Sequence, residues 1–169
     1  NRPDEVEELL ESLTIQKSGN YEVIIVEDGS QNKCDQVVEK YKSRLDISYF
    51  LKENGGPALA RNFGSEKAKY DYLVFFDSDC IIPETYFETI AIALSEKYTD
   101  AYGGPDAAHK SFTTIQKAIS YTMTSFFTTG GIRGGNEKME KFKPRSFNMG
   151  YSRNVFEKTR GFSDMRFGE

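Results

Sequence analysis

Two short, strongly apolar runs constrain the fold of this chain more than any other feature of its sequence. They span residues 21–26 and residues 72–76, and acidic residues follow each of them at once. A strand is a continuous apolar run when both faces of its sheet are covered, as in parallel sheets that lie between helices. The two runs are therefore predicted to be buried strands whose carboxyl ends carry polar turns.

Helical patterns alternate with the predicted strands. Apolar residues recur at helical spacing from Val6 to Leu13 after a helix start at Pro3, and a third strand is predicted at residues 47–51. Further helices are predicted at residues 35–41, 58–68, 83–95, 114–127 and 154–159. Because alternating strands and helices pack as a parallel, doubly wound sheet, we expect an α/β fold with a Rossmann-like, mostly parallel, twisted sheet flanked by helices.

The size and charge of the chain disfavour several classes of protein. Its 169 residues fit one α/β domain, and its net charge of −4, with acids and bases mixed, argues against a nucleic-acid or anionic-membrane binder. No apolar run approaches the roughly 18 residues of a membrane-spanning helix. Cys34 and Cys80 lack metal-ligand spacing, so we expect free thiols in a reducing, cytoplasmic compartment, with a disulfide as the alternative.

The acids at the strand ends form the first candidate site. Ligands of open parallel sheets bind beyond the carboxyl ends of the strands, so Glu27 and Asp28 are expected on one rim with Asp77 and Asp79. Clustered carboxylates repel one another unless a cation or hydrogen-bond donors lie among them. Asp77 and Asp79 are expected to share one side of an extended segment, and this spacing suits Mg²⁺ or Mn²⁺ completed by substrate phosphates. The alternative is a pair of ordinary acidic turns.

Basic and glycine-rich segments supply complementary groups. Arg61 lies early in a predicted helix that follows the loop 53–57, which favours binding of a phosphate or a planar base; a solvated helical arginine is the alternative. The loop 128–135 contains four glycines and suits close approach to sugar hydroxyls, or else is a flexible surface loop. His109 is the only histidine, so a histidine-based metal site or triad cannot form within these residues.

Four motifs follow one another in a specific order. They are Glu-Val-Ile-Ile-Val-Glu-Asp-Gly-Ser at residues 22–30, Asn-Gly-Gly-Pro at 54–57, Ala-Arg-Asn at 60–62 and Phe-Phe-Asp-Ser-Asp at 75–79. This ordered set resembles glycosyltransferase family 2, and the resemblance covers essentially the whole chain. It implies a GT-A fold and a nucleotide-sugar donor.

The resemblance also implies a role for individual residues. Asp28 resembles the aspartate that recognises the nucleotide base, and Arg61 resembles an arginine that contacts the nucleotide. Asp77 and Asp79 resemble the Asp-x-Asp motif, whose first acid lies near the ribose and whose last acid holds the metal that bridges the diphosphate. The implied donor-binding set is Glu27, Asp28, Asn54, Gly56, Arg61, Asp77, Ser78 and Asp79, with Asp77 and Asp79 as metal ligands.

The same resemblance divides residues 1–169 into two halves of a single catalytic domain. Residues 1–100 are expected to bind the nucleotide-sugar, and residues 101–169 are expected to form the acceptor side. The acceptor-side candidates are Gly103, Gly104, Asp106, Thr128, Thr129, Gly130, Gly131 and Arg133. The family's first strand is expected to precede Asn1 and its catalytic base to follow Glu169, so residues 1–169 are expected to lack both.

The predicted reaction is transfer of a sugar, with inversion, from a nucleoside diphosphate to an acceptor hydroxyl. A UDP-sugar donor, a Mg²⁺ or Mn²⁺ ion and a glycan or lipid-linked acceptor are expected, with a role in polysaccharide or glycoconjugate biosynthesis. No nucleic-acid partner is expected, and membrane association would come from segments outside residues 1–169, at the cytoplasmic face. One alternative is a non-catalytic nucleotide-sugar-binding fragment or degenerate homologue. A remote one is an aspartate-nucleophile phosphatase that attacks through Asp77.

Overall fold

The computed structural model describes residues 2–104, 112–124 and 147–163. In chain order these ranges contain α1 (Pro3–Thr14), β1 (Val23–Asp28), α2 (Asp35–Tyr41), β2 (Ile47–Lys52), α3 (Pro57–Lys67), β3 (Tyr72–Phe76), α4 (Tyr86–Glu96), β4 (Ala101–Gly103), α5 (Thr114–Thr124), β5 (Asn148–Ser152) and α6 (Arg153–Thr159). Each predicted helix and strand is present with ends shifted by a few residues, whereas β4 and β5 have no counterpart in the prediction.

Helix α1 shows how the sequence sets an element and its buried face. Pro3 occupies the first turn, where its missing N–H removes no hydrogen bond, and acidic residues beside it face the positive end of the helix dipole. The apolar side of the helix packs on α2, where Leu10 and Val38 are fully buried. Burial of each such side chain contributes roughly 1.5–3 kcal/mol to folding.

Strands β1 and β2 form a parallel pair. Their register runs from Val23 opposite Ile47 to Asp28 opposite Lys52. The two strands therefore end at the same rim, as the alternation of strands and helices predicts.

The second sheet has the strand order β3-β5-β4, and β5 runs antiparallel to both neighbours. Strands β3 and β4 thus point the same way, as expected for strands joined through the helix α4. The α/β class is confirmed, but these antiparallel pairs depart from the parallel sheet that the alternation alone predicts. Strand β4 ends at Gly103 and β5 begins at Asn148, so this pairing joins segments that are far apart in sequence and that the alternation of neighbouring strands and helices does not constrain.

A cavity of about 330 Å³ lies between the two sheets. It is lined by apolar residues of β1 and β3, and by Leu9 and Leu13 of α1. Within the described ranges no hydrogen-bonded pairing joins β1 to β3. No described helix has the length and apolar character that a membrane span requires.

Candidate functional site

The end of β1 holds a carboxylate enclosed by donors. Asp28 pairs with the ammonium of Lys52, which lies directly opposite it in the parallel register. The backbone N–H groups of Gly55 and Gly56 donate to the Oδ1 and Oδ2 atoms of Asp28 over 2.9 and 2.7 Å. The Asp28 side chain is only 17% exposed. We call this arrangement the Asp28 cradle.

Glycine is required where the chain leaves β1. Gly29 has φ +69°, and a Cβ atom there would lie 2.7 Å from the Cβ atom of Asn54. The close approach lets the Asn54 side chain donate to the Asp28 carbonyl over 3.2 Å, and lets Gly29 N–H donate to the Lys52 carbonyl over 2.9 Å. The loop 53–57 is thereby fixed against the end of β1.

The cradle also sets the charge state of Asp28. Burial by itself would raise the pKa of this carboxyl group, but the hydrogen bonds from Lys52, Gly55 and Gly56 and the charge of Lys52 outweigh it, so the pKa is lowered. Asp28 is therefore a fixed anion at the rim.

Glu27 lies on the opposite face of the strand and points into the protein. The residue is 5% exposed, and its carboxylate accepts hydrogen bonds from the hydroxyl of Tyr49 and, over 3.1 Å, from the backbone N–H of Cys34. Burial would raise the pKa of Glu27, yet these hydrogen bonds leave it lowered. Burial, with the Glu27 charge, raises the pKa of the Cys34 thiol to about 11. Glu27 thus ties the start of α2 to the β1–β2 pair, and its donor-binding role stays a prediction.

The end of β3 is open by comparison. Ser78 and Asp79 form the tip of a turn in which Cys80 N–H donates to the Asp77 carbonyl over 3.2 Å. The expectation that Asp77 and Asp79 share one side of an extended segment is wrong, because the chain turns directly after β3. The Asp77 and Asp79 side chains are 43% and 57% exposed. We call residues 77–79 the open turn.

Helix α3 connects the cradle to the open turn. It begins after Gly56, whose N–H binds Asp28, and packs so closely on β1 that a Cβ atom on Gly64 would lie 3.2 Å from Val26. One turn after its start, Arg61 places Nη2 3.3 Å from Oδ1 of Asp77. The Arg61 side chain is 17% exposed, which contradicts the alternative of a solvated helical arginine.

The open turn supplies two of the oxygen-bearing side chains that a hard divalent cation needs, and its remaining ligands would have to come from elsewhere. Among the described residues no group of three or more His, Cys, Asp or Glu side chains could hold a metal ion. Mg²⁺ commonly takes one or two protein carboxylates and completes its shell with water and substrate phosphates. Asp77 and Asp79 supply that smaller number, with Asp79 exposed beside the Arg2 guanidinium at 3.9 Å.

The acceptor-side candidates are only partly described. Gly104 N–H donates to the Asn148 carbonyl over 2.9 Å, so Gly103 and Gly104 lie where β4 meets β5. The Tyr86 hydroxyl donates to Oδ1 of Asn148 over 2.6 Å on the same side. The remaining acceptor-side candidates lie outside the described ranges: Asp106, Thr128, Thr129, Gly130, Gly131 and Arg133. His109 and Glu169, which are not acceptor-side candidates, also lie outside these ranges.

Three further residues belong to this region although no role is predicted for them from the sequence, and only Asn62 lies within one of the motifs. Lys52 is detectable in principle, because a residue that ends β2 must lie opposite the end of β1. Asn62 and Phe162 hydrogen-bond to each other across a hundred positions of sequence. No local pattern signals a contact of that range.

Known proteins are similar to this chain along nearly its whole length. The family model described as glycosyl transferase family 2 matches residues 1–160. An uncharacterized glycosyltransferase of Rickettsia felis is 31% identical over 128 residues, which cover 76% of this chain and 21% of that protein. The chain therefore corresponds to a minor part of a longer relative.

Solved structures of TarS and of the mannosyltransferase PcManGT are similar in fold to this chain. S. aureus TarS 1-349 has a TM-score of 0.75, with 20% identity over 99% of this chain and 49% of that one. Its complex with UDP-GlcNAc matches with 29% identity and a TM-score of 0.58, covering 64% of this chain and 32% of that one. The mannosyltransferase PcManGT of Pyrobaculum calidifontis, in complex with GDP-Man and Mn²⁺, has a TM-score of 0.68 and 16% identity, covering 97% and 45%.

Proposed function

Because the chain belongs to glycosyl transferase family 2, we propose that its described residues bind the nucleoside diphosphate part of a sugar donor. The observation that carries the proposal is that α3 connects the two strand ends. That helix starts on the Asp28 cradle and delivers Arg61 to Asp77 at the open turn. A fixed anion, a mostly buried arginine and two exposed carboxylates thus lie along one rim, which supplies partners for a base, a diphosphate and a cation.

The proposed donor is a UDP-sugar. Support comes from the similar fold of TarS, whose complex contains UDP-GlcNAc. We assign base recognition to the Asp28 cradle and contact with the nucleotide to Arg61, whose planar guanidinium suits phosphate oxygens. The proposed acceptor is a hydroxyl group of a glycan or of a lipid-linked carrier.

We assign the divalent cation, Mg²⁺ or Mn²⁺, to Asp77 and Asp79 together with the donor diphosphate. When bound, such an ion neutralises negative charge that develops on the departing nucleoside diphosphate. Arg61 keeps Asp77 oriented through their 3.3 Å contact, while Asp79 at the tip of the turn is accessible to an incoming ion. A carboxylate that deprotonates the acceptor hydroxyl, with attack from the face opposite the departing nucleoside diphosphate, would give inversion.

The cation assignment is tested by titrating UDP into the full polypeptide with and without Mn²⁺. We expect Mn²⁺ to strengthen UDP binding by about tenfold or more in the wild type, and Asp79→Ala to remove that gain. Asp71→Ala is the matched control, since its side chain is 99% exposed at the other end of β3. Equal UDP affinity with and without Mn²⁺ in the wild type would contradict the assignment.

We also propose that the cavity between β1 and β3 receives one further strand of the full polypeptide. Both strands lack a partner on this side within the described ranges, and the wall is largely apolar. Arg2 lies 3.9 Å from Asp79, so α1 starts at the rim where a strand parallel to β3 would end.

Amide hydrogen exchange tests this proposal. The backbone N–H groups of Ile24 and Val74 should exchange slowly in the full polypeptide and faster in residues 1–169 alone. Equal rates would contradict the proposal.

A further inference from the structure

Asn62 binds both polar backbone groups of a residue that is far away in sequence. Its Nδ2 donates to the carbonyl of Phe162 over 2.8 Å, and the N–H of Phe162 donates to its Oδ1 over 2.8 Å. One side chain thus satisfies the donor and the acceptor of a single backbone position. Such a paired contact fixes where Phe162 lies relative to α3 more tightly than one hydrogen bond would.

The backbone before Phe162 is shaped for this contact. Helix α6 ends in two successive left-handed residues, Arg160 with φ +62° and Gly161 with φ +76°. Gly161 N–H donates to the Phe156 carbonyl over 3.0 Å, and a Cβ atom on Gly161 would collide with Oδ1 of Asn62. Only glycine permits both the turn and the close approach at this position.

The contact determines where the Phe162 ring lies. The ring packs edge-on against Phe75 of β3, with centroids 5.4 Å apart, and is tilted against Tyr151 of β5 at 5.8 Å. The guanidinium carbon of Arg61 lies over the same ring, 5.6 Å from its centroid. A cation above an aromatic face is attracted by the ring, so the ring holds the arginine on the side where Asp77 accepts from it.

The position of α6 as a whole does not depend on Asn62. Strand β5, directly before α6, pairs with β3 along its length. At the start of α6, Arg153 Nη2 donates to the carbonyls of Ala68 and Tyr70 over 2.7 and 2.8 Å. Asn62 therefore fixes the position of Phe162 alone, and through the Phe162 ring it affects the position of Arg61.

We propose that Asn62 is a positioning residue: through Phe162 it holds the Arg61 guanidinium against Asp77 at the donor-binding rim. The inference rests on the proposed function, because Arg61 matters to a ligand only if that rim binds the nucleotide. It assigns Asn62 no contact with the ligand itself.

A double-mutant cycle tests the inference in the full polypeptide, with UDP and Mn²⁺ as the probe. Arg61→Met should weaken UDP binding by about tenfold or more, and Asn62→Ala by about three- to tenfold. In the Arg61→Met background, Asn62→Ala should change the affinity by less than about twofold, because the two changes act through one guanidinium. Asn154→Ala, on the exposed side of α6, is the matched control and should leave the affinity unchanged.

A second pair of variants keeps the test decisive if Asn62→Ala folds poorly. Phe162→Leu removes the aromatic face and should weaken UDP binding as Asn62→Ala does, whereas Phe162→Tyr keeps the face and should bind like the wild type. Equal losses for Leu and Tyr would overturn the inference.

The outcomes separate failure of the inference from failure of the proposed function. If the wild type binds UDP and Arg61→Met weakens it, but Asn62→Ala has no effect or an equal effect in both backgrounds, the inference alone is overturned. If the wild type binds neither UDP nor GDP with Mn²⁺, the proposed function fails and the inference fails with it.

Discussion

At the end of β1 the carboxylate of Asp28 is enclosed, whereas at the end of β3 the carboxylate of Asp79 faces solvent. Asp28 is 17% exposed and accepts from Lys52 and from the backbone of Gly55 and Gly56. Asp79 is 57% exposed and has the Arg2 guanidinium at 3.9 Å. Two strand ends with the same type of side chain therefore have opposite environments.

The difference concerns which oxygen atoms are available to a ligand. The oxygens of Asp28 are already engaged by donors, so the cradle acts as a rigid, charged surface whose shape is set before any ligand arrives. At the open turn, the exposed Asp79 has lone pairs that can bind a cation without first breaking a short protein contact, since the Arg2 guanidinium lies 3.9 Å away. The cradle is preorganised and the open turn is accessible, which is consistent with the proposed nucleotide recognition at the cradle and the proposed metal binding at the turn.

Removing each carboxylate in turn tests whether the two strand ends contribute differently to stability. Asp28→Ala removes the carboxylate that pairs with Lys52 and leaves the N–H groups of Gly55 and Gly56 without this acceptor, so it should lower the free energy of unfolding by about 2–3 kcal/mol. Asp79→Ala removes an exposed group and should change it by no more than about 0.5 kcal/mol. Urea denaturation of both variants measures the difference, and equal values would show that the two strand ends are built alike.

Much of the fold could be predicted because its strands and helices are locally encoded. The strands that end at Asp28 and at Phe76 are apolar runs, and α1 carries a helix-start signal and an apolar stripe. Strand β4 is three residues long, and β5 reads Asn-Met-Gly-Tyr-Ser without a β-branched residue. These two strands are stabilised by their sheet neighbours rather than by propensity, so the antiparallel sheet was not predictable.

The parts of the candidate site that lie in motifs after strands could be predicted from the sequence. The parts that depend on contacts between distant residues could not. The motifs led to Asp28, Arg61 and the open turn, and family membership excludes the phosphatase alternative. They gave no hint that Glu27 faces inward, since two adjacent acids look alike in sequence although alternate residues of a strand point to opposite faces. The pairing of Asn62 with Phe162 depends on the assembled fold.

A smaller effect should appear in the pH dependence of stability. The pKa values of Glu27 and Asp28 are lowered in the folded protein from ordinary values of 4.5 and 3.8. The folded state therefore binds protons less readily than the unfolded chain, so this stabilisation is complete above those ordinary values and is lost as the pH falls through the lowered ones. Glu27→Gln should make the loss of stability below about pH 4.5 less steep.

Thermal unfolding between pH 3 and 7 measures this dependence. Glu88→Gln, an exposed site on α4, controls for the loss of one negative charge. An acid profile of Glu27→Gln as steep as that of the wild type would show that the inward carboxylate does not contribute to acid sensitivity.

The last prediction concerns the reactivity of two thiols rather than stability, one near each strand end. Cys34 lies beside Glu27, is 4% exposed and has its pKa raised to about 11, whereas Cys80 closes the open turn and is half-buried. At pH 8 about one Cys34 thiol in a thousand is the reactive thiolate, so a disulfide reagent should modify Cys80 at least about tenfold faster in the native protein. Cys80→Ser should leave only the slow reaction, and denaturant should accelerate it. Equally fast modification of both thiols in the native protein would show that the turn after β1 opens as readily as the turn after β3.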